Sequence, residues 1–264
     1  LVLGLRGIVT MELHVSGPVR DLHSGIYGGS VHNPAQALCE ILAHLHNDDG
    51  RVAVPGFYNE VITPEAEDRT RLADLAPYFE ADWQRSVNAP QTWGEPDFLL
   101  HERVGIRPTL EVNGIASGYS GAGFKTVLPA KAMAKLSARL VPDQQPNAVF
   151  DLIRSHIARL TPPTVTSRLI QLDAGAPAER AEFDTPAMHA AAEAYAFAWG
   201  KPAIYEMAGG SVPISSTLDG ASDQLVKMGY GYKGGQNHGP NEHIILANYP
   251  RGIAAAIRFL ELMG

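Results

Sequence analysis

From Ile8 to Val15 apolar and polar residues alternate one for one. Val9, Met11, Leu13 and Val15 point one way and Thr10, Glu12 and His14 the other, which is the period of a half-buried strand. The pattern then changes. Leu38, Ile41, Leu42 and Leu45 recur at helical spacing, with Asn33 as N-cap and Pro34 in the first turn, and predict a helix over 34–46. Residues 107–113 read as a strand. So does Ala132 to Val141, with Ala134, Leu136, Ala138 and Leu140 on one side and Lys135, Ser137 and Arg139 on the other. A helix from about Pro146 carries Val149, Leu152, Ile153, His156, Ile157 and Leu160 on one face, and the β-branched stretch from Thr164 to Leu172 is a strand. Strand, helix, strand, strand, helix, strand is the split βαβ order of a ferredoxin-like α+β domain.

Residues 47–101 interrupt that order. The segment contains one predicted helix, Pro64 to Phe79, and carries Trp83 and Trp93. A connection this long is usually an insertion with its own role. From Asp184 the pattern turns αβαβα. Asp184 or Thr185 caps a helix from Pro186 to Trp199 that Gly200 stops, followed by a short strand (Ala203 to Met207), a glycine turn, a short helix, a strand near Leu225 to Met228, and a final helix from about Tyr249 to Met263. This last unit holds only two or three strands, and so small a parallel sheet leaves apolar faces bare. It is expected to need a partner segment.

Composition narrows the function. The 264 residues are 45% hydrophobic and 19% charged, ordinary for a globular protein. The net charge of -7 offers no basic stripe for phosphates and argues against a nucleic-acid partner. No apolar run approaches the roughly 18 residues of a membrane span. The start, Leu1 to Gly7, has neither the charged region nor the cleavage site of a signal peptide, and no initiating Met. The lone Cys39 lies among Leu38, Ile41 and Leu42 and is expected to be a core thiol; such sparse cysteine fits a reducing cytoplasm.

Four stretches carry candidate chemistry. In Asn237-His238-Gly239-Pro240-Asn241-Glu242-His243, a His on a glycine-rich loop beside Asn and a carboxylate suits an oriented metal ligand, or simply an exposed imidazole. Asp21-Leu22-His23-Ser24-Gly25 presents a His just after the first strand, and is equally a plain strand-edge turn. Gly209-Gly210-Ser211-Val212-Pro213 lacks the glycine that a serine nucleophile elbow needs two residues after Ser, because Pro213 stands there. It offers instead backbone N–H groups and a hydroxyl for a carboxylate, or an ordinary N-cap. Arg139, on the polar face of its strand after the turn Gly121 to Pro129, suits bidentate capture of a peptide carboxylate; an unengaged surface Arg is the alternative.

Taken in order, Asp21 to Gly25, Thr126-Val127-Leu128-Pro129-Ala130-Lys131, Arg139-Leu140-Val141-Pro142, Gly209 to Pro213 and His238-Gly239-Pro240-Asn241-Glu242 resemble the aminoacylase, carboxypeptidase and carnosine-dipeptidase family of dizinc hydrolases. Val52-Ala53-Val54-Pro55-Gly56-Phe57-Tyr58 resembles the start of the insertion in its carnosine-dipeptidase branch. No single motif decides the matter; five in order carry it. The resemblance implies a lid and dimerisation domain over 6–183, with an insertion at about 47–105, followed over 184–264 by the C-terminal part of an α/β catalytic domain. It implies hydrolysis of a peptide or amide bond in a dipeptide or N-acyl amino acid, and a homodimer through the lid. It implies two zinc ions in the full-length enzyme, with manganese or cobalt as alternatives. His238 resembles the last metal ligand. His23 resembles the lid histidine that reaches the other subunit's site, where an imidazolium would stabilise the oxyanion. Thr126, Arg139 and Ser211 resemble substrate binders, and Asn113 a polar lid contact. The family's other ligands and its general-base Glu lie upstream of a segment like Leu1 to Gly7. This stretch alone is therefore expected to bind zinc poorly and to be inactive. The competing expectation is a non-catalytic dimerisation or binding module without the zinc centre.

Overall fold

The computed structural model describes residues 1–212, 225–231, 234–236 and 239–264. Its largest sheet has four antiparallel strands. β1 (Val2–Leu5) belongs to a different sheet, and one residue later β2 (Gly7–Ser16) enters the large one. There β2 lies between β6 (Lys131–Leu140) and β7 (Thr166–Gln171), and β4 (Thr109–Ser117) forms the outer edge beyond β6. The order β4-β6-β2-β7, with α2 (Pro34–Ala43) and α6 (Pro146–Leu160) against the sheet, is the ferredoxin-like arrangement that the alternation predicts. Val9, Met11, Leu13 and Val15 of β2 are fully buried against Ala134, Leu136 and Leu140 of β6 and Leu38, Ile41, Ile153 and Ile157 of the helices. The opposite residues of β2 are half-buried.

Local chemistry sets the boundaries. The Asn33 side chain accepts the Ala35 N–H at 2.9 Å and so caps α2. That helix ends at Ala43, before the expected His46. Cys39 is exposed rather than in the core, because the buried stripe of α2 is Pro34, Ala37, Leu38 and Ile41 and the residue after Leu38 turns about 100° away from it. β4 runs later than the expected 107–113, because Arg107 is drawn into an ion pair before the strand begins.

In the interrupting segment the expected helix over 64–79 is two helices, α3 (Ala66–Ala73) and α4 (Ala76–Ser86). Pro77, at the start of α4, has no N–H to continue the α3 ladder. α5 (Leu100–Gly105) closes the segment. Glu95 is buried and receives both Arg107 (2.9 and 2.8 Å) and Arg51 (2.8 Å), while the Arg107 guanidinium lies 4.3 Å from the Phe98 ring and 5.1 Å from that of Tyr58. Glu102 is likewise buried and takes Arg69 in a two-point contact.

His101 of α5 is buried too, and neither ring nitrogen finds a hydrogen-bond partner among the described residues. Burial lowers its pKa below 6.5, the charges of Glu102 and Glu80 pull it up, and Arg69 adds to the lowering. The unfolded chain therefore takes up a proton near pH 6.5 that the folded one refuses, so the stability present above that pH is lost as pH falls toward the folded value. His101→Phe is expected to stabilise the fold by about 1 kcal/mol at pH 7, since it removes two unsatisfied buried groups. It should also flatten the decline between pH 7 and 5. Urea titrations at both pH values, followed by tryptophan fluorescence, check both effects.

The second sheet is small. β1 pairs in parallel with β9 (Glu206–Ala208) and antiparallel with β8 (Glu179–Arg180). The expected strand near 225–228 reduces to a single bridge between Lys227 and Val2. α7 (Pro186–Trp199) matches the expected span; Thr185 accepts the Met188 N–H, and Gly200 closes the helix in the left-handed conformation. It packs on the last helix, Asn248–Met263, through small residues including Ala191, Ala194, Gly252 and Ala255. Ile253, Ile257 and Leu260, at i, i+4 and i+7 of the last helix, stay exposed, as expected for a small sheet that leaves apolar faces bare. The short helix expected after the glycine turn lies largely outside the described residues.

Candidate functional site

Arg139 and Ser211 are 72 residues apart in sequence and meet in space. Arg139 stands near the end of β6, opposite Ile8 of β2 and Thr109 of β4. Its Nη1 donates to Ser211 Oγ at 2.9 Å. The Ser211 hydroxyl donates in turn to the Arg6 carbonyl at 2.5 Å. The hydroxyl proton is thereby committed, so in this arrangement Ser211 orients Arg139. A second cation adjoins the first: Arg6, between β1 and β2, has its pKa lowered to about 10 by burial first and by the charge of Arg139 second, against the opposing charge of Glu111. Two guanidinium groups held this closely form a site where an anion is favoured.

Gly209 permits the close approach. A Cβ there would lie 2.7 Å from Val104 Cγ1 and 2.9 Å from the Val104 carbonyl oxygen. The turn that carries Ser211 therefore rests directly on α5.

His23 and Thr126 form another group. β3 (Leu22–His23) pairs with β5 (Val127–Leu128), and the Ser24 N–H donates to the Thr126 carbonyl at 2.9 Å. Asp21 fixes the start of this loop by accepting the Ala130 N–H at 2.8 Å. His23 caps the short helix α1 (Ser24–Tyr27), its Nδ1 accepting the Gly25 N–H at 3.0 Å. With Nδ1 accepting this hydrogen bond, Nε2 is the ring nitrogen that can donate to another group. The ring is exposed, and Gly25 leaves room for it, since a Cβ at that position would lie 3.0 Å from His23 Cε1.

These two groups lie far apart within one chain. β5 adjoins the Lys131 end of β6, whereas Arg139 is eight residues further on. At about 3.3 Å per residue that is roughly 26 Å along the strand. Asn113 joins neither group. It is the extra residue of a β-bulge in β4, between Val112 (opposite Leu136) and Gly114 (opposite Lys135), and is exposed. His238 lies outside the described residues. Among the described residues no three or more His, Cys, Asp or Glu side chains gather where they could hold a metal ion. Likewise no described helix is long and apolar enough to cross a membrane.

Arg6 belongs to none of the sequence motifs; its signal is slight, one charged residue between Leu5 and Gly7.

Residues 3–165 match the family model described as the peptidase dimerisation domain of M20 peptidases. The chain belongs to the M20 peptidase family. All of it aligns, at 31% identity, with 55% of the Cys-Gly metallodipeptidase DUG1 of Candida albicans. In three dimensions 99% of it superposes on 56% of human carnosine dipeptidase 1, with a TM-score of 0.83 and 25% identity. It superposes with the same score, at 26% identity, on 59% of an M20 metallo-carboxypeptidase from Sulfolobus solfataricus. This M20 chain spans about half the length of the curated relatives it matches. The α+β architecture of a ferredoxin-like sheet followed by part of an α/β unit is thus that of M20 peptidases.

Proposed function

We propose that the full-length protein is a metal-dependent dipeptidase that works as a homodimer. This chain would supply a lid domain over 6–183 and the C-terminal part of the catalytic domain over 184–264. Arg139, oriented by Ser211, would bind the substrate carboxylate. His23, with Thr126 beside it, would act on the tetrahedral oxyanion of the other subunit's substrate, and Asn113 would be a further polar lid contact. His238 would contribute a metal ligand, on the strength of its sequence motif; zinc is the metal proposed, with manganese or cobalt as alternatives. The bound metal would activate water.

One observation carries this reading. The His23 group and the Arg139 group are separated by roughly 26 Å of strand, whereas a dipeptide spans only about 7 Å. Within one subunit they cannot hold the same dipeptide; across a dimer they can. Membership of a dimerisation-domain family and the dipeptidase names of the relatives support the same conclusion. The exposed stripe of Ile253, Ile257 and Leu260 is then the face on which the rest of the catalytic domain would pack.

The test is a dipeptide and N-acyl amino acid panel on the full-length protein, after metal removal and re-addition of Zn²⁺, Mn²⁺ or Co²⁺. Turnover that appears only with metal and only for substrates with a free C-terminal carboxylate is the expected result. Absence of turnover on every substrate with every metal would defeat the proposal.

A further inference from the structure

We propose that Arg6 is a positioning residue that straps the 209–211 turn to the lid junction and so sets Arg139 and Ser211 for the substrate carboxylate; this rests on the dipeptidase reading above. Arg6 is the single residue between β1 and β2, the point where the chain passes from the small sheet to the large one. Four of its polar groups are used on that junction. Its backbone N–H donates to the Ala208 carbonyl at 3.3 Å, and its own carbonyl accepts the Ser211 hydroxyl at 2.5 Å. Its Nε donates to the Gly209 carbonyl at 3.0 Å, and its Nη1 to the Arg107 carbonyl at 3.3 Å.

These contacts join three parts of the molecule. Ala208, Gly209 and Ser211 belong to the turn after β9. Arg107 belongs to the end of the inserted segment, and its side chain is fixed by the buried Glu95. Arg139 belongs to the large sheet and reaches Arg6 through Ser211. Loss of the guanidinium frees the Gly209 and Arg107 carbonyls and lets the turn shift, which moves Ser211 away from Arg139. The strap needs the planar fork: Nε and Nη1 point at two carbonyls from different segments, whereas a lysine ammonium is one point on a flexible stem. The strap also holds two like charges together, an arrangement that an arriving carboxylate relieves.

The test uses the full-length protein with Ala-Gly and its C-terminal amide. Arg6→Met is expected to raise KM for Ala-Gly by about tenfold with kcat within threefold, because charge-assisted contacts to the carboxylate are what is lost. Turnover of the amide should stay within threefold. Arg6→Lys should remain within threefold of the Met variant, and Arg6→Met should add little to Arg139→Met. Circular dichroism and thermal melts verify that each variant is folded. Restoration by Lys would show that charge rather than the fork matters and would overturn the strap. So would an equal loss on both substrates, or an unchanged KM in Arg6→Met. If the unmodified enzyme turns over neither substrate, the dipeptidase reading fails separately. The strap is then judged by calorimetric binding of Ala-Gly, where Arg6→Met should weaken Kd about tenfold and an unchanged Kd would overturn it.

Discussion

Arg139→Met in the full-length protein is expected to cut kcat/KM for dipeptides by about 100-fold, chiefly through KM, because hydrogen bonds to a charged partner contribute roughly 1.5–3 kcal/mol. Arg139 donates Nη1 to Ser211, and in the proposed complex the rest of its fork would take the carboxylate. The Ser211 hydroxyl proton is held by the Arg6 carbonyl, so Ser211→Ala should act mainly by loosening Arg139. Ser211→Ala should therefore cost several-fold alone and nothing further in the Arg139→Met background, since residues in direct contact are not additive. A C-terminal amide substrate should already be poor with the unmodified enzyme and be little affected by either change. Steady-state kinetics of the two single variants and the double variant decide the point. Additive losses would mean that Ser211 contacts substrate independently of Arg139.

The sites reach back unevenly into the sequence. The large sheet was legible because β2 and β6 repeat with period two over ten residues each, and their buried positions are the apolar ones read from the alternation. α7 was legible because Thr185, Pro186 and Gly200 mark its ends chemically. β1 was not. Its four residues carry no alternation, and only pairing with β8 and β9, some 175 to 205 positions away, makes it a strand. Arg6 was hidden for the same reason, since its partners Arg107, Gly209 and Ser211 are all more than 100 residues distant. Cys39 falls outside the buried stripe because the step of about 100° after Leu38 carries it past the edge of that face. The break between α3 and α4 was readable in Pro77, but acidic first-turn residues and helix-forming composition masked it. The motif histidines were found by residue type alone. Which ring nitrogen of His23 is engaged follows only from the hydrogen bond from Gly25.

That hydrogen bond shapes the consequence expected for His23. With Nδ1 occupied by the Gly25 N–H, the ring has Nε2 as its donor, and it is exposed at a loop edge rather than enclosed with Arg139. Loss of one donor to a developing oxyanion costs about 10²- to 10³-fold in kcat. His23→Ala should therefore lose about that much in kcat with KM nearly unchanged, the opposite signature to Arg139→Met. In the proposed dimer the donor comes from the neighbouring subunit, and this is separable from mere importance. In a dimer of one His23→Ala subunit and one Arg139→Met subunit, the first keeps Arg139 and receives the intact His23 of the second, while the other site lacks both. If subunits exchange at random in an equimolar mixture, half the dimers are mixed and each regains one site of two, so activity should recover to about a quarter of the unmodified level. Neither variant alone approaches that. A mixture that stays at the level of the parent variants, with exchange verified by mass spectrometry of intact dimers, would place His23 in its own subunit's site or outside the chemistry altogether.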